Sequence, residues 1–222
     1  MAKRLKVSRK DLFKEEDQFL SSSEKAVIFF MANRSTVIGV IVALVVVGSS
    51  FLGFRYYQET QAMKNEAFYF EMVKIVETSS NPASEAKLVW EKMADSQQKQ
   101  RASLLLGDIH FQNQEYDKAA ELYSAVLSNS SQGQITHQLA QVGLAHSHVS
   151  RKDYKKAIDL FKSVIDANTS FPLFDVYMSL AKCYELNNDA PNALLILREM
   201  QMKFSTNPNL DKIEDRIKQL SA

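Results

Sequence analysis

The four histidines, one cysteine and two acidic runs have most capacity for chemistry in this chain. An imidazole acts as a base or metal ligand when a carboxylate, thiolate or second imidazole stands at ligand spacing. His146 and His148 are two residues apart, so on a helix they face different ways. No acid or cysteine stands beside them, or beside His110 and His137, at such a spacing. Cys183 is alone, so no intramolecular disulfide holds the fold, and it reads as a small buried helix residue. There is no glycine-rich phosphate loop, no Gly-x-Ser-x-Gly and no paired-cysteine motif. The runs Glu15–Asp17 and Asp211–Asp215 read as solvated faces. We therefore expect no catalytic residues, no metal and no cofactor.

The elements that position these side chains are helical. The 222 residues include only 4 Pro and 6 Gly, too few breakers for a turn-rich β architecture. The net charge of +1 gives no global pointer to nucleic acid, but its distribution is uneven. Residues 1–34 carry eight Lys/Arg and five Asp/Glu, net +3, and residues 55–222 carry 19 and 21, net −2. Between Arg34 and Arg55 lie twenty uncharged residues, Ser35–Phe54. At roughly 1.5 Å per residue a helix of that length spans about 30 Å, the thickness of a bilayer core.

The polar stretch before the span is too long for a signal peptide, and RYYQETQAM after it shows no cleavage pattern. This predicts an uncleaved signal anchor. Lys3, Arg4, Lys6, Arg9, Lys10, Lys14, Lys25 and Arg34 precede it, which predicts a cytoplasmic N-terminus and a translocated C-terminal domain. Phe51, Phe54, Tyr56 and Tyr57 suit the far interface. Ser21-x-x-Glu24 reads as a capping box opening Ala26–Ala32, either an interfacial helix or an extension of the span. Gly39-x3-Ala43 and Ser49-x3-Gly53 are small pairs of the kind that let another helix approach.

Three later segments share one register: Leu104–Leu127, Val142–Ile165 and Met178–Gln201. Each has Leu followed by a small residue: Leu106-Gly107, Leu144-Ala145 and Leu180-Ala181. A ring follows at His110, His148 and Tyr184. An anchor alanine follows at Ala119, Ala157 and Ala193, with a large side chain four residues on at Tyr123, Phe161 and Leu197. The alanines lie 38 and 36 residues apart. The polar stretches Ser128–Gln134 and Ala167–Pro172 suit the connections.

This pattern resembles the tetratricopeptide repeat, a helix–turn–helix unit of about 34 residues. His110 and His148 then occupy core ring positions. The resemblance implies an all-α chain: an N-terminal transmembrane helix followed by a tetratricopeptide-type α-α solenoid with a capping helix. Residues 1–34 form a basic tail, 35–56 the signal anchor and 57–97 two leading helices, read as a degenerate repeat. Residues 98–207 hold three repeats and 208–222 the capping helix, with Ile213, Ile217 and Leu220 at helical spacing. The leading helices are expected over Tyr57–Thr78 and Glu85–Asp95, with a break at Ser79–Ser84.

Tetratricopeptide domains bind proteins in a groove lined by the first helix of each repeat. By register, the first repeat supplies Arg101, Leu104, Asp108, Phe111 and Gln112. The second supplies Leu139, Val142, His146, Val149 and Ser150. The third supplies Asp175, Met178, Lys182, Glu185 and Leu186. Leu104, Phe111, Leu139, Val142, Val149 and Met178 would form an apolar strip, open to a partner or filled by Tyr57–Thr78 or a second copy. The groove lacks the Lys/Arg/Asn clamp with which one subgroup holds acidic chaperone tails.

The order of parts resembles the bacterial inner-membrane family that serves as ancillary subunit of the Sec translocon. That resemblance implies a periplasmic domain whose partners are translocon subunits, periplasmic chaperones or secreted clients, with no nucleic acid. A scaffold for another cell-envelope complex would use the same fold, and homo-oligomers are compatible with it. An organelle import receptor would need the opposite topology, and no room remains for a catalytic domain.

Overall fold

The computed structural model describes residues 22–167 and 170–221. Residues 1–21, which hold most of the basic tail and Ser21 of the expected capping box, lie outside the described residues. Every regular element among the described residues is a helix. They form two compact units, divided between Glu59 and Thr60.

The first unit contains α1 (Ser22–Ala32) and the start of α2 (Arg34–Thr78). Only Asn33 separates them. Its N–H donates to the Phe29 carbonyl at 3.0 Å and its own carbonyl accepts from Val37 N–H at 3.0 Å, so the helical ladder runs on through it. The apolar stretch of α2 is long enough to cross a bilayer, and none of it is buried in the protein. A Cβ placed on Gly39, Gly48 or Gly53 would meet open space.

The second unit begins with the last turns of α2. Met72 is fully buried there, with Ala86, Val89, Ala102, Leu106 and Ile109 around it. The next helix, α3 (Pro82–Trp90), starts inside the expected break and stops short of the expected Asp95. Pro82 occupies the first turn, where a missing N–H costs nothing. The early stop has a specific cause in Asn65. Its Nδ2 donates to the Ala94 carbonyl at 3.0 Å and to Ser96 Oγ at 2.8 Å, and its Oδ1 accepts from Ala94 N–H at 3.1 Å. Ala94 therefore has no backbone group left for the helix, and Ser96 caps the following one through Lys99 N–H.

Three helix pairs follow: α4 (Gln97–Gln112) with α5 (Tyr116–Asn129), α6 (Ile135–Ser150) with α7 (Tyr154–Asp166), and α8 (Phe174–Leu186) with α9 (Ala190–Lys203). Each first helix ends in the same turn. Gln114, Lys152 and Asn188 have φ of 64°, 64° and 60°. The next N–H closes the turn, from Glu115 to His110 O at 2.9 Å, Asp153 to His148 O at 2.8 Å and Asp189 to Tyr184 O at 2.8 Å. A left-handed residue followed by such a bond is the Schellman stop. The anchor alanines Ala119, Ala157 and Ala193 are all 0% exposed, which is what lets paired helices approach. The last helix, α10 (Leu210–Ser221), buries Ile213 among Tyr177, Ala181, Leu197 and Met200 and closes the end of the solenoid.

Candidate functional site

Six of the fifteen groove positions come together in one cavity of about 250 Å³. Leu104, Asp108 and Phe111 from α4 face Leu139, Val142 and His146 from α6. Tyr123 and Gly143 complete the lining. Tyr123 belongs to α5, and its ring reaches the cavity because two backbones lack a Cβ. A Cβ on Gly107 would lie 2.8 Å from Tyr123 Cε1, and one on Gly143 would lie 2.7 Å from the same atom. The phenol thus sits in a slot between α4 and α6, and its O–H donates to Asp108 Oδ1 at 2.5 Å.

A second cleft of about 390 Å³ gathers Met178, Lys182 and Glu185 with Ser179, Ala181, Leu197, Lys212 and Arg216. Glu185 is not free there. Arg216 Nε donates to its Oε1 at 2.8 Å, and Nη2 donates to Oε2. Arg101 is likewise engaged, 3.5 Å from Glu66 Oε1 and 4.3 Å above the Tyr69 ring, both on α2. Gln112, Ser150, Asp175 and Leu186 are exposed and line neither cleft.

The apolar strip is less open than its pattern suggests. Leu139 is 44% exposed, whereas Leu104, Phe111, Val142, Val149 and Met178 are half-buried. Val142 and Val149 pack on the core around Phe161, and Leu104 and Phe111 on that around Tyr123. These side chains serve the core and the groove wall together.

A family pattern described as "Tetratricopeptide repeat-like domain" matches residues 28–201. The chain belongs to that family. The match takes in the whole of α2, apolar stretch included. Among solved structures, the repeat domain is similar to a Podosopora anserina protein named for kinesin light chain, with nearly identical TPR-like repeats. The TM-score is 0.51 at 12% identity, over 72% of this chain and 94% of that one. A singly substituted form of that protein gives the same values. At that identity the likeness concerns the fold. No curated protein matches the chain significantly. Domains of this fold are typically non-catalytic scaffolds for protein interaction.

Burial shifts the protonation of three groups in the first cavity. Asp108 as a residue is exposed at the groove, while its carboxyl turns inward toward Tyr123. Burial raises that carboxyl above the usual range, and the Tyr123 hydroxyl pulls it partly back. Burial, then the Asp108 carboxylate, raises the Tyr123 phenol. Burial lowers His146, with a smaller push from Lys182. The His146 ring meets Phe161 edge-on at 5.2 Å. Among the described residues no carboxylate is hydrogen-bonded to its ring nitrogens. The cavity can hold an apolar side chain and a hydrogen-bonding or charged group.

Two of the histidines correct the sequence reading. His110 Nδ1 lies 2.5 Å from Glu115 Oε2, and His148 Nδ1 lies 3.4 Å from Asp153 Oδ2. The Schellman turn folds the acid five residues on back over the ring, so spacing along a straight helix misses the pair. The recurrence of His-x4-acid 38 residues later was the available signal. Lys118 and His110 hold the Glu115 carboxyl below its usual range. Among the described residues no group of three or more His, Cys, Asp or Glu side chains is placed to hold a metal ion. Cys183 is 1% exposed, and burial pushes its thiol up to about 11. Tyr123 and Gly143 were missed as site residues. A glycine inside a helix costs about 1 kcal/mol against alanine, so Gly143 marks a close approach.

Proposed function

We propose that this chain is a membrane-tethered adaptor, and that its repeat domain captures segments of other proteins in the groove. The observation that carries the reading is one continuous helix, α2. Its stretch Ser35–Phe54 carries no charge and is unburied, and near its end it packs Met72 into the repeat domain. The Lys/Arg excess before Ser35 supports a cytoplasmic N-terminus and an extracytoplasmic repeat domain. On the resemblance to the ancillary Sec translocon subunits, the partners are translocon subunits, periplasmic chaperones or secreted clients. The domain limits follow that order: tail 1–34, anchor 35–56, leading helices 57–97, repeats 98–207, cap 208–222.

Topology is tested first. Cys183 is buried, so the native chain should label poorly with a membrane-impermeant maleimide. Ser131→Cys, in the exposed α5–α6 connection, should label in intact spheroplasts of a bacterial host. Protection until lysis would overturn the orientation. Photocrosslinkers at Leu139 and Phe111 then report the partner, with Leu195 on α9 as a control outside both clefts. Crosslinks to translocon subunits, chaperones or nascent secreted chains support the adaptor. Crosslinks to a different envelope complex would make the protein that complex's scaffold.

A further inference from the structure

The cavity between the first two repeats has a chemical asymmetry that narrows what it can hold. Its walls are apolar at Leu104, Phe111, Leu139 and Val142, and Asp108 and the His146 ring stand among them. Tyr123 takes one carboxylate oxygen, which fixes the group in place. Among the described residues Asp108 makes no ion pair with any Lys, Arg or His. The nearest cation by register, Arg101, is spent on Glu66 and Tyr69. A partly desolvated carboxylate with a free oxygen and no counter-charge favours a cationic ligand.

Resting on the reading of the groove as a protein-binding surface, we propose that this cavity takes a segment with a large apolar side chain closely followed by lysine or arginine. The apolar side chain enters between α4 and α6. The cationic group meets Asp108 Oδ2, while Tyr123 holds Oδ1. Charge complementarity thus selects basic-apolar segments over acidic ones, the reverse of a carboxylate clamp.

The test uses the full chain in mild detergent and fluorescein-labelled ten-residue peptides. Each carries leucine or phenylalanine followed at one to three positions by lysine, glutamine or glutamate. Fluorescence anisotropy should show the best lysine peptides binding roughly tenfold tighter than their glutamine forms, with glutamate forms weakest. Asp108→Asn keeps the acceptor for Tyr123 and should bring the three forms within about twofold of one another. Lys182→Gln should leave the lysine preference in place. If the native chain shows no preference, or Asp108→Asn retains it, this inference fails and the groove reading stands. If no peptide of the set binds, both fail.

Discussion

Two clefts draw on the same three register positions and differ in what they leave unsatisfied. Leu104, Val142 and Met178 correspond, as do Asp108, His146 and Lys182, and Phe111, Val149 and Glu185. In the first cleft the carboxylate is held by a phenol from behind and faces no cation. In the second, Arg216 from the capping helix already grips the carboxylate. The repeat frame sets where a side chain stands. The residue behind it, and any glycine beside that residue, decides which polar atom reaches the surface. Tyr123, Phe161 and Leu197 are register equivalents, and only Tyr123 carries a hydroxyl into a slot made by two glycines. A terminal repeat in a solenoid must seal its face, while an internal junction can leave a face for a partner.

The largest expected effect falls on the residue that makes the first cleft unlike the second. Tyr123 is 2% exposed, and Tyr123→Ala should destabilise the domain by about 3–5 kcal/mol, read by urea denaturation. Leu197→Ala should cost about 2–5 kcal/mol for the same reason, the loss of a buried side chain. Tyr123→Phe separates the two roles of the phenol. It keeps the packing and deletes the bond to Asp108, so stability should change far less. A Tyr123→Phe variant as unstable as Tyr123→Ala would mean that the polar contact, not the ring, anchors the slot.

Next in size is the glycine. A Cβ at position 143 would press on the Tyr123 ring, which is wedged against backbone on its other side at Gly107. Gly143→Ala gains helix propensity of about 1 kcal/mol but should lose about 1–3 kcal/mol to overpacking. The net outcome is neutral to destabilising, with the phenol displaced from Asp108. The register equivalent in the third repeat, Ser179, already carries a Cβ, so Ser179→Ala adds no atom there and should shift stability within about 0.5 kcal/mol. A clear gain in thermal stability for Gly143→Ala would show that the slot has room to give, and that the comparison overstates its tightness.

These contrasts also mark what the sequence made legible. The spacing of Ala119, Ala157 and Ala193 announced three helix pairs, because one buried small residue per pair is a local requirement that recurs. Ile213, Ile217 and Leu220 announced the capping helix by their period alone. The groove positions followed from the same register, and six of them meet in one cavity. Other features depend on residues that meet only after folding. Asn65 holds the backbone of Ala94 from 29 residues away, and Arg216 reaches Glu185 across 31. Neither leaves a periodic trace. The apolar strip reads as open surface in the sequence because one face of a helix does not reveal how far its edges are shared with a neighbouring repeat.

The smallest stability effect is the most informative about the second cleft. Arg216 is 44% exposed at its side chain and Glu185 13%, so their pair lies near the surface despite two bonds. Arg216→Ala should cost no more than about 1 kcal/mol, because solvent screens the pair and the arginine gives up rotamer freedom to make it. It should nevertheless leave Glu185 without its arginine partner beside Met178 and Leu197, in a cleft that Lys182 and Lys212 also line. If a freed carboxylate suffices even beside those lysines, Arg216→Ala gains affinity for the lysine peptides that Asp108→Asn loses. If it gains none, the carboxylate must also be fixed in place and clear of lysines. The phenol in its glycine slot would then be the part of the first cleft that the third repeat cannot imitate.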